Sequence, residues 1–138
     1  MENLAVLKPP VALALWTLMV FALIPVRRMR AMRSGALTAD DFKLGESDRV
    51  PESVALPNRN AMNLFQMPVL FYLASLILFV TGLADAGFVA LGWVYVALRV
   101  AHSLVHVTYN RVLHRFVPFA LSNGVLVVIW ARVAWAMA

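Results

Sequence analysis

The segment AGFVALGWVYVALRVAHSLVHVTYN, residues 86–110, decides the fold. It is apolar and longer than the ~20 residues that a helix needs to cross a bilayer core. In its middle, however, lies RVAHSLVH, residues 99–106, with an arginine and two histidines. Ionisable side chains at such depth mark a functional site by default, because lipid gives them no solvation. Written as one helix, the segment brings Tyr95, Arg99, His102, His106 and Tyr109 onto one face at steps of three and four.

Composition extends this reading to the whole chain. Of 138 residues, 62% are hydrophobic and 14% charged, where soluble domains hold roughly 45–50% and about 25%. Hydropathy divides the sequence into four spans, 4–26, 61–83, 86–110 and 116–138, which leave nothing for a second domain. The first span has no basic leader and ends in Pro25-Val26-Arg27-Arg28 where a signal peptide needs small residues, so it is expected to be retained. Pro9 and Pro10 suit its first turn, where amide hydrogens have no intrahelical partner. The Asp85-Ala86-Gly87 link is short enough to make the second and third spans antiparallel neighbours. The expected fold is an all-α integral membrane protein, an antiparallel up-down four-helix transmembrane bundle over residues 1–138.

Charge orients the bundle. The 27–60 connection carries Arg27, Arg28, Arg30, Arg33, Lys43, Arg49 and Arg59, the 109–115 connection adds Arg111 and Arg115, and the turn at Asp85 has neither Lys nor Arg. Both basic connections therefore face the cytoplasm and both termini the other side. From Ser34 onward the long connection, with Gly35, Gly45, Pro51 and Pro57, reads as a loop or a loop with one short helix. The net charge of +5 does not point to nucleic acid, since the basic residues flank spans and no nucleic-acid motif is present. With no cysteine, any thiol chemistry must come from a ligand.

A second polar stripe opens span two, where Arg59, Asn63 and Gln66 share a face. It lies at the same end as His106, Asn110 and Arg115, so the two stripes converge on a site open to the cytoplasm. Asn and Gln there also serve as interhelical hydrogen-bond glue. Arg99 has no acid at its depth: Glu2 is terminal, Asp40, Asp41, Glu46, Asp48 and Glu52 are in the loop, and Asp85 is roughly 21 Å away along the helix at ~1.5 Å per residue. It must find carbonyls, amides, water, an anionic ligand or another chain. Arg132 is near enough to the C-terminus to snorkel and takes no part in the site. His102 and His106 are one turn apart, but His114 lies ~12 Å further along a continuous helix, so no metal site is expected.

Two motifs carry a resemblance to a known family: Arg59-x-x-x-Asn63-x-x-Gln66 with Pro68, and Arg99-Val100-Ala101-His102 with Arg111 and Arg115. The chain resembles a bacterial member of the MAPEG superfamily, membrane-associated proteins in eicosanoid and glutathione metabolism, over all four spans. The resemblance implies a homotrimer binding glutathione between protomers near the cytoplasmic surface. It implies that Arg59, Asn63, Gln66, Arg99, His102, His106 and Arg111 contact glutathione. It places Arg115 on the arginine facing the glutathione sulfur in the prostaglandin- and leukotriene-forming members. A fixed positive charge there favours the thiolate, since a free thiol with pKa ~8.5 is mostly protonated at neutral pH.

The family pattern differs at Gln66, where many catalytic members carry Glu, at His106, where they carry tyrosine, and at Phe116 and Phe119, where prostaglandin-forming members carry hydroxyls. Two functions follow from the resemblance: a glutathione-dependent transferase or peroxidase acting on hydrophobic electrophiles from the bilayer, or a non-enzymatic relative binding an amphipathic lipid or a membrane partner. The expected location is the bacterial inner membrane.

Overall fold

The computed structural model describes residues 2–138, apart from the side chains of Glu2 and Asn3. Those residues form six helices and one short 3-10 turn, with no strand among them. The helices are α1 (Glu2–Ala5), α2 (Lys8–Arg33), α3 (Glu52–Leu64), α4 (Pro68–Thr81), α5 (Ala86–Val107) and α6 (Val112–Met137). Four stretches are long and apolar enough to cross a membrane: α2, α3 with α4, α5, and α6.

Prolines account for much of the difference from the expected spans. Pro9 and Pro10 do occupy the start of α2. Pro25 does not end that helix, which runs on to Arg33, seven residues beyond the expected boundary at Val26. Arg30 and Arg33 in its last turn complement the negative end of the helix dipole. Within the connection expected to be a loop or a loop with one short helix, residues 52–60 are helical, since α3 begins at Glu52 immediately after an extended Pro51. Pro57, inside α3, cannot donate to the Ser53 carbonyl one turn back. Arg27 Nη1 donates to that same carbonyl at 2.6 Å, so a contact from α2 replaces the lost helical bond. Span two is then interrupted at residues 65–67, before Pro68 opens α4.

Span three is shorter than expected. α5 stops at Val107, and Tyr109 is exposed on the following turn, with its hydroxyl 3.2 Å from His114 Nδ1. Tyr109 therefore does not share the face of Arg99. Asn110, at φ 48°, donates its backbone N–H to the Val105 carbonyl at 2.8 Å and closes the helix end. α6 starts at Val112 rather than 116, which puts Arg115 in its first turn instead of in a connection.

One end of the bundle gathers the C-termini of α2 and α5 with the N-termini of α3 and α6. Arg27 donates to both Ser53 O and Val107 O, and Asn110 donates to Glu52 at 2.6 Å. At the other end Arg132 of α6 pairs with Asp85 at the start of α5, N···O 2.7 Å, and lies over the Phe88 ring. Arg132, partly exposed, thus reaches the helix ends, where the Asp85 carboxylate accepts from its guanidinium. Leu13, Leu64, Phe71, Leu78, Tyr95 and Leu126 are among the buried core residues, and Phe71 of α4 packs on Tyr95 of α5 with ring centroids 4.5 Å apart. Large apolar side chains such as Leu18, Val80 and Val127 point outward, the surface a lipid-embedded bundle presents to acyl chains.

The connection between α2 and α3 is tied down by polar contacts. Asp41 accepts from the Thr38 backbone at 2.8 Å and the Ser47 hydroxyl at 2.9 Å, and Arg28 bonds Glu46 while lying over Phe42. The Thr38 amide, then the Ser47 hydroxyl, hold the Asp41 carboxyl below its ordinary range.

Candidate functional site

The site grows from the face of α5 that its sequence marks. Arg99, His102 and His106 are one helical turn apart in succession, and all three are buried. Arg99 is fully enclosed and donates through Nη2 to two acceptors on α3, the Asn63 carbonyl at 3.1 Å and Asn63 Oδ1 at 2.5 Å. Its partner is thus an amide in its own chain, not a carboxylate. Its Nε and Nη1 have no protein partner. The Phe119 ring of α6 covers it, 5.6 Å from the guanidinium carbon.

One turn on, His102 Nδ1 lies 2.7 Å from the Arg115 carbonyl of α6. A carbonyl only accepts, so Nδ1 carries the proton and Nε2 presents a lone pair. That Nε2 has no protein partner, and neither does His106 Nδ1. The two rings meet edge to face, 5.5 Å apart. Arg59 and Arg115 both lie within electrostatic range of His106. Arg115 is half-buried, and its Nη1 donates to Asn110 Oδ1 at 2.5 Å.

The structure therefore brings Asn63, Arg99, His102, His106 and Arg115 together, with Arg59 at the margin. Gln66 is exposed in the break between α3 and α4, and Arg111 is exposed immediately before α6. The reason for the split lies in how α3 packs. Its buried edge runs through Leu56, Asn60 and Leu64, so the Arg59-Asn63-Gln66 stripe lies along the boundary and only its middle residue turns inward. Asn60, which the stripe omits, is fully buried and bonds the Ser103 hydroxyl. Asn110 and Glu52 were also missed as a pair, since they are 58 positions apart in sequence. An apolar groove of about 250 Å³, lined by residues including Thr17, Leu18, Phe21, Leu64, Phe65 and Tyr72, opens beside the break.

The family model described as MAPEG family matches residues 6–135. The chain belongs to the MAPEG family. It is an integral membrane protein of a family involved in glutathione and eicosanoid metabolism. Comparison with curated proteins and with solved structures gives no match. Within this MAPEG protein the two motifs of resemblance meet in space, through the Arg99–Asn63 hydrogen bonds.

Proposed function

We propose that this MAPEG protein is a glutathione-dependent transferase or peroxidase acting on hydrophobic electrophiles, with the glutathione thiolate stabilised by Arg115. The observation that carries the reading is the cationic cluster around α5: Arg99, Arg115 and Arg59 converge there, and Arg99 is held by a neutral amide alone. Glutathione brings two carboxylates and one ammonium, and its thiolate adds another negative charge. Each negative group would gain from a guanidinium in a site of low dielectric. Arg115 in the first turn of α6 adds to the positive end of that helix. His102 Nε2 and His106 Nδ1 supply acceptor or donor positions for the tripeptide's amides. Arg59, Gln66 and Arg111, exposed in one protomer, are assigned to the rim.

On this reading Arg115 favours loss of the thiol proton to water, and the thiolate attacks an apolar electrophile entering from the bilayer. The groove beside Phe65 and Tyr72 offers that molecule an apolar surface. The contacts at both bundle ends support an up-down order of spans. We assign the Arg27 end to the cytoplasm, the termini to the opposite side, and the protein to the bacterial inner membrane. The assembly is proposed to be a homotrimer.

A second reading is favoured by Gln66, an amide where many catalytic members of the family carry the Glu that would face the glutathione ammonium. The same cations would then hold the anionic head of an amphipathic lipid. Titration of the purified protein with glutathione, followed by ultraviolet thiolate absorbance, separates the two. Wild type should form thiolate near neutral pH, Arg115→Ala should form none while keeping its fold and oligomer size, and Arg115→Lys should retain part. Wild type without thiolate at saturating glutathione, or Arg115→Ala equal to wild type, gives the site to the lipid reading.

A further inference from the structure

Asn110 is the only non-glycine residue at positive φ among the described residues. Asparagine adopts the left-handed region more readily than most residues, so the turn between α5 and α6 accepts it at small cost. The turn alone would be served as well by glycine. What glycine lacks is the amide. Asn110 Nδ2 donates to Glu52 Oε1 at 2.6 Å, and Asn110 Oδ1 accepts from Arg115 Nη1 at 2.5 Å.

The order carboxylate, amide, guanidinium follows from hydrogen-bond chemistry. An ionised carboxylate only accepts and a guanidinium only donates, so a group between them at both contacts must do both. A primary amide does so without adding charge. Glu52 thus fixes the direction of Arg115 through a neutral spacer, whereas direct pairing would neutralise the charge that a bound thiolate needs. The turn is held from a second side, since Arg27 donates to Val107 O and to Ser53 O, next to Glu52.

We propose that Glu52 and Asn110 form a latch that positions Arg115, with Asn110 the positioning residue and Glu52 its anchor. This rests on Arg115 being the thiolate-stabilising group. Asn110→Gly keeps the backbone conformation and removes both hydrogen bonds, so it isolates the latch from the turn. In full-length protein with glutathione as probe, two quantities are read: the pH midpoint of thiolate absorbance, and the dissociation constant below that midpoint, where the thiol is protonated. Asn110→Gly should raise the midpoint by about one pH unit, a tenfold loss in ionisation. The dissociation constant should stay within about threefold, because the lost interaction acts on the thiolate alone.

A polarity swap gives a readout in the ligand-free protein. Asn110→Asp puts a carboxylate against Glu52 and should lower the melting temperature. Adding Glu52→Gln lets the new amide donate to the new carboxylate, which should restore it. The thiol midpoint should stay raised in that double variant, since a full negative charge then faces Arg115. Wild type that ionises glutathione with Asn110→Gly identical to it overturns the latch alone. Wild type that never ionises glutathione overturns Arg115's role and, with it, the latch's purpose. Effects of the two swap substitutions that merely add overturn the Glu52–Asn110 contact itself.

Discussion

Arg99 shows what a single side chain can do when its charge is not cancelled. It is fully buried, its bonded acceptors are the carbonyl and amide oxygens of Asn63, and Nε and Nη1 remain without a protein partner. Its positive charge is therefore not cancelled by any acid bonded to it. Asn63→Asp should cancel it, weakening the proposed glutathione binding by about tenfold, ~1.4 kcal/mol of lost attraction for its carboxylates, while leaving the fold at least as stable. Asn63→Ala should destabilise by about 1–3 kcal/mol, because the guanidinium loses its side-chain acceptor without regaining water. Calorimetric titration and thermal unfolding check the two, and unchanged affinity in Asn63→Asp would remove Arg99 from the binding site. The sequence exposes Arg99, His102 and His106 because they are polar at helical spacing in an apolar run. It hides Ser103 and Asn60, since a lone small hydroxyl has no visible period and Asn60 stands beside the more conspicuous Arg59.

Helix boundaries follow from partners that the local sequence does not contain. Pro57 looks like a helix breaker until Arg27 of α2 satisfies the Ser53 carbonyl it frees. That is why the start of α3 was not legible, while the four apolar spans were. Gly87 is a similar case: a Cβ there would lie 2.5 Å from Arg132 Nη1 and 3.1 Å from Asp85 Oδ1. Gly87→Ala should push Arg132 off Asp85 at a cost of about 1 kcal/mol or less, since the pair is half-exposed. In an Arg132→Ala background it should cost nothing further, and a thermal double-mutant cycle reads the difference. The α2–α3 connection responds to pH instead. Asp41 is held below its ordinary range in the folded chain, so its stabilising effect is complete above the unfolded value of about 3.9 and fades as pH falls through the lower folded value. Protection of the amides of residues 38–47 against hydrogen exchange, relative to their intrinsic rate at each pH, should therefore persist down to about pH 4 and fall only below it. In Asp41→Asn exchange should be fast at neutral pH, and equal protection in that variant would place the loop's stability elsewhere.

Orientation and assembly belong to the whole molecule. The absence of cysteine gives a clean background for labelling: Lys43→Cys, in the exposed connection, and Ala86→Cys, at the opposite end, should react from opposite sides of the membrane. Labelling of Lys43→Cys by an impermeant reagent on intact cells would reverse the orientation. The polar boundary of α3 bears on assembly. Arg59 and Gln66 are exposed at the margin of a membrane-spanning stretch. The apolar part of lipid cannot satisfy such groups; lipid phosphates at the bilayer surface or a second copy of the chain can, and copies that close a ring do so with one repeated interface. Native mass spectrometry in mild detergent should find a trimer. Arg59→Ala with Gln66→Leu should weaken glutathione binding more than it weakens assembly, because a few rim contacts set ligand affinity while the apolar helix faces hold the copies together. A folded monomer that binds glutathione as tightly as the purified wild-type assembly would show that one chain completes the site, and the intersubunit placement of Arg59 and Gln66 would be wrong.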